Sequence, residues 1–214
     1  MSYAGRGALV VLEGCDKAGK TTQAKLLCEN MIKAGIPTNY MCFPDRTTKI
    51  GKLIDDYLKC NNDIEDHAIH LLFSANRWEN VPKMKELLHR GTTLVIDRYA
   101  YSGVAFSSAK KNFSLDWCKQ CDIGLPKPDL VLFFDLNMHN AVQRPTYGQE
   151  RYENQTFQEK VRRNFLLLQD ESFKVIDANR PIEVVYEDAK NSVLRAIQES
   201  RFKPLQELWV KRTC

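Results

Sequence analysis

Five short apolar runs punctuate the chain: Ala8–Leu12, Tyr40–Phe43, Thr93–Ile96, Leu130–Phe134 and Lys174–Ile176. The first is continuous and rich in β-branched residues, as a strand buried on both faces reads. Between the runs, apolar positions recur at helical spacing near Thr22–Ala34, Asp66–Asn76, Lys83–Arg90, Asn154–Gln169 and Ile182–Ser200. In the first of these, Ala24, Leu27, Cys28 and Met31 share a face, and Gly35 follows as a stop. Strands alternating with helices predict an α/β fold, a parallel five-stranded sheet surrounded by helices, as a single domain over 1–214. Ligands in such sheets bind beyond the carboxyl ends of the strands. Three polar clusters fall there: Gly14 to Thr21, Pro44-Asp45-Arg46 and Asp97-Arg98-Tyr99. Between Asn137 and Tyr152 the pattern breaks into a polar stretch with Pro145 and Gly148. A short lid over about 137–152 and a solvated connection both fit that stretch.

The first cluster carries the sharpest chemistry. Gly14-Cys15-Asp16-Lys17-Ala18-Gly19-Lys20-Thr21 matches G-x-x-x-x-G-K-[ST] at every fixed position. A strand precedes it and a helix follows, the context that this phosphate-cradling loop requires. Its backbone N–H groups and the helix N-terminus favour an anion. Lys20 can reach the β- and γ-phosphates, and the Thr21 hydroxyl can bind Mg²⁺. The loop therefore predicts a nucleoside triphosphate ligand but not the reaction.

Composition narrows the partners. The 214 residues are 43% hydrophobic and 27% charged, with 31 Lys+Arg against 27 Asp+Glu, for a net charge of +4. That balance, without a basic run, suits a phosphate ligand and predicts no nucleic-acid partner. The apolar runs are strand-length, so no membrane span is expected. The N-terminus shows no targeting pattern, which predicts a cytoplasmic protein with nuclear entry left open. Seven scattered cysteines suit free thiols in a reducing compartment. Cys118-Lys119-Gln120-Cys121 is a C-x-x-C, but no second metal-binding pair accompanies it. His67 and His70, the nearest alternatives, sit on a helix among apolar residues.

Longer motifs carry a resemblance. They are Arg6 to Gly14, Phe43-Pro44-Asp45-Arg46, His70 to Glu79, Asp97 to Phe106, Gly124 to Leu130, Glu150-Arg151-Tyr152-Glu153 and Pro204 to Trp209. Together the chain resembles the thymidylate kinases, the dTMP kinases of the nucleoside-monophosphate kinase group, in their eukaryotic branch. The resemblance implies that fold with a short lid, and ATP-dependent phosphorylation of dTMP to dTDP in dTTP biosynthesis. It also implies Mg²⁺ and a homodimer.

The resemblance also implies residue roles. Gly14, Cys15, Asp16, Lys17, Ala18, Gly19, Lys20 and Thr21 would bind ATP, with Arg144, Asn179 and Arg180 near the adenine. Phe73 would stack on thymine and Arg77 donate to it; four residues apart, they share a helix face. Phe43, Ser102, Gly103 and Phe106 would line the same pocket. Arg46 and Arg98 would grip the acceptor phosphate, for which a guanidinium fork suits. Asp16 would bond the 3′-hydroxyl, and Tyr152 would crowd the 2′ position. Lys17, Lys20, Asp97 and Arg98 would be catalytic, with Thr21 and Asp97 at the metal. Asp135 also ends a strand and rivals Asp97 for that place. Lys17 stands where many relatives have arginine, and Cys121 stands where proline is usual. Leu71, Leu72 and Trp78 could build a dimer interface or belong to the core. The competing functions are a kinase for another pyrimidine nucleotide or deoxynucleoside, and a loop-bearing binding module without catalysis.

Overall fold

The computed structural model of the protein describes residues 5–143, 148 and 150–210. In chain order the elements are β1 (Leu9–Glu13), α1 (Lys20–Lys33), β2 (Thr38–Cys42), α2 (Lys49–Leu58), α3 (Asp66–Trp78), α4 (Val81–His89) and β3 (Thr93–Asp97). There follow α5 (Ala100–Ser107), α6 (Leu115–Gln120), β4 (Leu130–Asp135), α7 (Met138–Val142), α8 (Gln155–Leu167), β5 (Phe173–Asp177) and α9 (Ile182–Ser200). The five strands form one parallel sheet in the order β2-β3-β1-β4-β5. The expected α/β architecture is therefore present.

β1 and β3 are buried along their whole length, which explains their unbroken apolar sequences. β5 is an edge strand with Lys174 and Val175 exposed, so its pattern is weaker. β1 lies between β3 and β4. The chain crosses to one side of β1 for β2 and β3 and returns to the other for β4. A crevice opens at the carboxyl end of β1, where an open sheet of this kind binds its ligand.

A second apolar cluster stands apart from the sheet. Ile54, Tyr57 and Leu58 of α2 pack on Ile69 of α3, with Leu72, Phe73 and Tyr152 against them. Thr48 caps α2 by accepting from Gly51 N, and Glu65 caps α3 by accepting from His67 N and Ala68 N. This cluster forms the outer wall of the crevice. The helical runs named above leave out α2, α5, α6 and α7. α5 is apolar nearly all round because it is buried on most faces, so it lacks an amphipathic stripe. Of the stretch read as a lid or a connection, 138–142 form α7, and 144–147 and 149 lie outside the described residues.

Candidate active site

The phosphate-binding loop leaves β1 at Gly14, whose φ is +145°. A Cβ there would stand 2.6 Å from the Phe134 carbonyl oxygen, so the turn onto β4 admits only glycine. Lys17 and Gly19 also take positive φ, at 60° and 89°. α1 then opens at Lys20 with no acidic side chain in its first turn, leaving its amide end to an anion. Lys20 is buried, and its ammonium donates to Cys15 O at 2.6 Å. Burial, assisted by the nearby Arg98 charge, pushes its pKa down to about 8.

Arg98 begins the turn after β3 with φ +66°, a conformation that costs a non-glycine residue about 1–2 kcal/mol. Several bonds hold it there. Arg98 N donates to Leu12 O at 3.0 Å. The buried Glu13 carboxylate accepts from Tyr99 N at 2.9 Å, Ser102 N at 3.0 Å and the Ser102 hydroxyl. Burial raises the Glu13 pKa, while those donors and the Arg98 charge oppose the rise. The Arg98 guanidinium reaches Asp16 Oδ1 at 2.5 Å and Ser102 Oγ at 3.2 Å, and lies over the Phe106 ring. Gln158 grips Asp16 from the other side. Its Oε1 accepts from Asp16 N at 3.0 Å, and its Nε2 donates to Asp16 Oδ2 at 2.5 Å and to Tyr152 O at 2.9 Å.

A cavity of about 310 Å³ opens between the loop and the outer wall. Asp16, Thr21, Asp97 and Arg98 line its inner end, and Phe43, Arg46, Phe73, Arg77, Ser102, Gly103, Phe106 and Tyr152 line the rest. Arg46 is half-exposed and pairs with Asp55 at 2.6 Å and Glu150 at 2.9 Å. Tyr152 stacks on Phe157 at 5.2 Å and bonds Tyr57 Oη at 3.0 Å. The cavity thus collects twelve expected residues from five separate motifs.

At its inner end the Thr21 hydroxyl donates to Asp97 Oδ2. Asp97 Oδ1 is buried without a hydrogen-bond partner. A hydroxyl beside an unsatisfied carboxylate oxygen is a hard-donor pair that fits Mg²⁺, which takes few protein ligands and completes its shell with phosphate and water. The rival Asp135 is engaged by Arg162 at 2.6 and 2.7 Å.

Other expected residues lie elsewhere. Lys17 pairs with Glu153. Asn179 accepts from Asn137 N at 3.1 Å, and Arg180 pairs with Asp188 at 2.7 Å, both beyond the carboxyl end of β5. Arg144 lies outside the described residues. The C-x-x-C packs behind α3. Cys118 is buried, and Cys121 Sγ lies 3.2 Å from His70 Nε2, whose pKa burial lowers. Among the described residues no group of three or more His, Cys, Asp or Glu could hold a metal. Among them, too, no helix is long and apolar enough to cross a membrane.

The thymidylate kinase family model matches residues 12–189. The chain is 55% identical over 207 residues to the thymidylate kinase of Homo sapiens, covering 95% of this chain and 98% of that protein. The same identity and coverage hold for the thymidylate kinase of Danio rerio. The chain belongs to the thymidylate kinase family. The solved structure of thymidylate kinase from Candida albicans shares its fold at a TM-score of 0.87 and 35% sequence identity, covering 96% of this chain and 99% of that one.

For a thymidylate kinase site, four polar side chains join the geometry that the sequence reading left without a role: Glu13, Asp122, Glu153 and Gln158. Two carried a readable signal. Glu13 ends an apolar run with a charge. Gln158 shares a face of α8 with the buried Val161 and Phe165, where a polar residue needs partners. Asp122 and Glu153 sit in connections, and the cations they pair with, Arg77 and Lys17, are distant in the sequence.

Proposed function

We propose that this site transfers the γ-phosphoryl group of ATP to dTMP, giving ADP and dTDP, a step of dTTP biosynthesis. The reaction follows from family membership. The observation that supports the residue roles is the single cavity joining Asp16, Thr21 and Asp97 to Arg46, Arg98 and Phe73.

Phosphoryl transfer passes through a loose transition state, so positioning and charge do most of the work. The loop amides of Gly14 to Thr21 and the Lys20 ammonium would hold the ATP phosphates. Arg144, Asn179 and Arg180 would face its adenine. Arg46 and Arg98 would bind the dTMP phosphate, whose ionised oxygen attacks without a strong general base. The P–O bond to ADP breaks as the bond to dTMP forms. Lys17 and Arg98 would balance the charge on the transferring group. Thr21 and Asp97 would hold Mg²⁺, which when bound neutralises phosphate charge. Asp16, fixed by Arg98 and Gln158, would accept from the 3′-hydroxyl. Phe43, Phe73, Arg77, Ser102, Gly103 and Phe106 would frame the base and sugar, and Tyr152 would crowd a 2′-hydroxyl. The 137–152 segment would act as the lid.

We also infer a homodimer. Leu71 and Trp78 are exposed on α3, and Leu53 on α2, whereas Leu72 packs inward on the second cluster. Sedimentation at the 24.7 kDa chain mass would refute the dimer. A cytoplasmic location suits the free cysteines among the described residues.

The deciding experiment measures ADP and product with ATP, Mg²⁺ and each nucleoside monophosphate in turn. Fastest turnover of dTMP to dTDP supports the acceptor pocket. A faster monophosphate overturns the pocket assignment, and equal activity on thymidine overturns the acceptor-phosphate roles of Arg46 and Arg98. ATP binding without product would favour a non-catalytic module.

A further inference from the structure

Arg77 does not face the cavity as a free side chain. It is buried, and its guanidinium is tied to Asp122, which is itself wholly buried. Arg77 Nε donates to Asp122 Oδ1 at 3.1 Å, and Nη2 donates to Oδ2 at 2.6 Å. Ser74, one turn earlier on α3, brings its hydroxyl within 2.8 Å of Asp122 Oδ1 and 2.9 Å of Cys121 O. Trp78 Nε1 donates to the same Cys121 carbonyl at 2.7 Å. The loop after α6 is therefore pinned to α3 on both sides of the ion pair. Across the cavity, α5 closes in. A Cβ on Gly103 would stand 2.8 Å from Arg77 Nη2 and 3.1 Å from Nη1, so only glycine lets the guanidinium lie where it does.

A guanidinium carries five N–H donors and no acceptor. Asp122 takes one from Nε and one from Nη2. Both N–H groups of Nη1 take no part in that pair, and Arg77 lines the cavity. A planar group held by a bidentate carboxylate on one edge and by backbone packing on its face has little freedom to turn. A buried ion pair of this kind adds little stability compared with apolar packing, but it fixes an orientation.

We propose that Asp122, braced by Ser74, is a specificity-determining positioning residue: it holds Arg77 as a fixed donor-only edge, so the acceptor base must present a carbonyl there. The inference rests on the reading above that Arg77 faces the acceptor base. Thymine and uracil offer a carbonyl at both edges flanking the ring N–H. Cytosine replaces one of these with an amino group. An amino group against a fixed N–H donor leaves buried donors unpaired, which a site built on hydrogen bonds rejects far more strongly than it rejects a missing methyl. With Asp122 gone, the guanidinium could swing aside and the rejection would weaken.

The test compares kcat and KM for dTMP and dCMP in the wild-type protein and in Asp122→Asn, Ser74→Ala and Arg77→Met, with the ATP KM as control. For Asp122→Asn the ratio of kcat/KM for dTMP over dCMP should fall about tenfold or more, chiefly through the dTMP KM. The ATP KM should stay within about twofold, which a general loss of structure would not give. Ser74→Ala should move the ratio the same way by a smaller factor, and it decides the matter if Asp122→Asn does not fold. An unchanged ratio in the folded variants, while Arg77→Met collapses it, overturns the role of Asp122 and leaves the reading of Arg77 standing. An unchanged ratio in Arg77→Met overturns both.

Discussion

Lys17 Nζ stands 2.9 Å from Glu153 Oε1, an ion pair between the phosphate-binding loop and the segment that leads into α8. Glu153 also accepts from Gly148 N at 2.7 Å and from Glu150 N at 3.3 Å. One carboxylate thus links the loop to the turn that carries Glu150, the partner of Arg46. In this arrangement Glu153 balances the Lys17 charge. To act on a transferring phosphoryl group it must exchange Glu153 for phosphate oxygen.

On the role proposed above, that exchange would make Lys17 a residue of the transition state more than of binding. Lys17→Met should lower kcat about 100-fold, the scale of one preorganised charge at a developing anion. The KM values for ATP and dTMP should change far less. Single-turnover kinetics would check this. A rate constant within threefold of wild type would show that the lysine, a point charge without the arginine fork, does not serve the transferring group.

The orphaned Oδ1 of Asp97 leads to a second prediction. A buried carboxylate oxygen without a partner is costly, so a cation there restores what burial removes. Asp97→Asn keeps the shape and can still bond Thr21, but it loses the charge. It should raise the Mg²⁺ concentration needed for half-maximal activity and lower kcat about 100-fold. Titrating activity against Mg²⁺ at saturating ATP tests both. An unchanged Mg²⁺ dependence would move the metal away from this pair.

Much of this site was legible in the sequence because its geometry is local. The loop from Gly14 to Thr21 has fixed spacing, and Phe73 and Arg77 lie four apart on α3, so a periodic reading brings each set together. The carboxyl ends of β1, β2 and β3 also carry the polar clusters where a parallel sheet gathers its ligand. What escaped is held by long-range contacts or lacks a period. Asp122 lies 45 positions from Arg77, and no local pattern joins a loop carboxylate to a helix guanidinium. α5 shows no stripe because α3, α6 and α8 pack around it. α2 does carry Ile50, Ile54, Tyr57 and Leu58 at helical spacing, and its role became plain only once these met Ile69 and Leu72 in the second cluster.

Arg46 separates binding from folding. Its ion pairs with Asp55 and Glu150 are solvent-exposed, and exposed pairs contribute only about 0–1 kcal/mol to stability. A dTMP phosphate at the same guanidinium would gain charge-assisted bonds of about 1.5–3 kcal/mol. Arg46→Ala should therefore raise the dTMP KM about 10- to 100-fold while the thermal midpoint barely shifts. Thermal unfolding and steady-state kinetics on the same preparation would check the pair of outcomes. A large loss of stability with unchanged KM would make Arg46 a structural brace.

Lys20 yields a prediction about protons. Burial first, and then the neighbouring Arg98 charge, lower its pKa from 10.5 to about 8. A bound triphosphate surrounds the same ammonium with negative charge and raises that pKa again. At neutral pH Lys20 is mostly charged with and without ATP, so it contributes little proton exchange. One unit above its free value it is mostly neutral before binding and charged after it, so ATP binding must take up most of one proton. The apparent ATP affinity should fall by about tenfold between neutral pH and that point for the same reason. Calorimetry in two buffers of different ionisation enthalpy counts the protons at each pH. In Lys20→Arg, whose charge is fixed over this range, the pH-dependent uptake should vanish. An uptake equal at both pH values in the wild-type protein would mean that Lys20 stays charged despite its burial, with the Cys15 carbonyl and the Asp16 and Asp97 carboxylates holding it so.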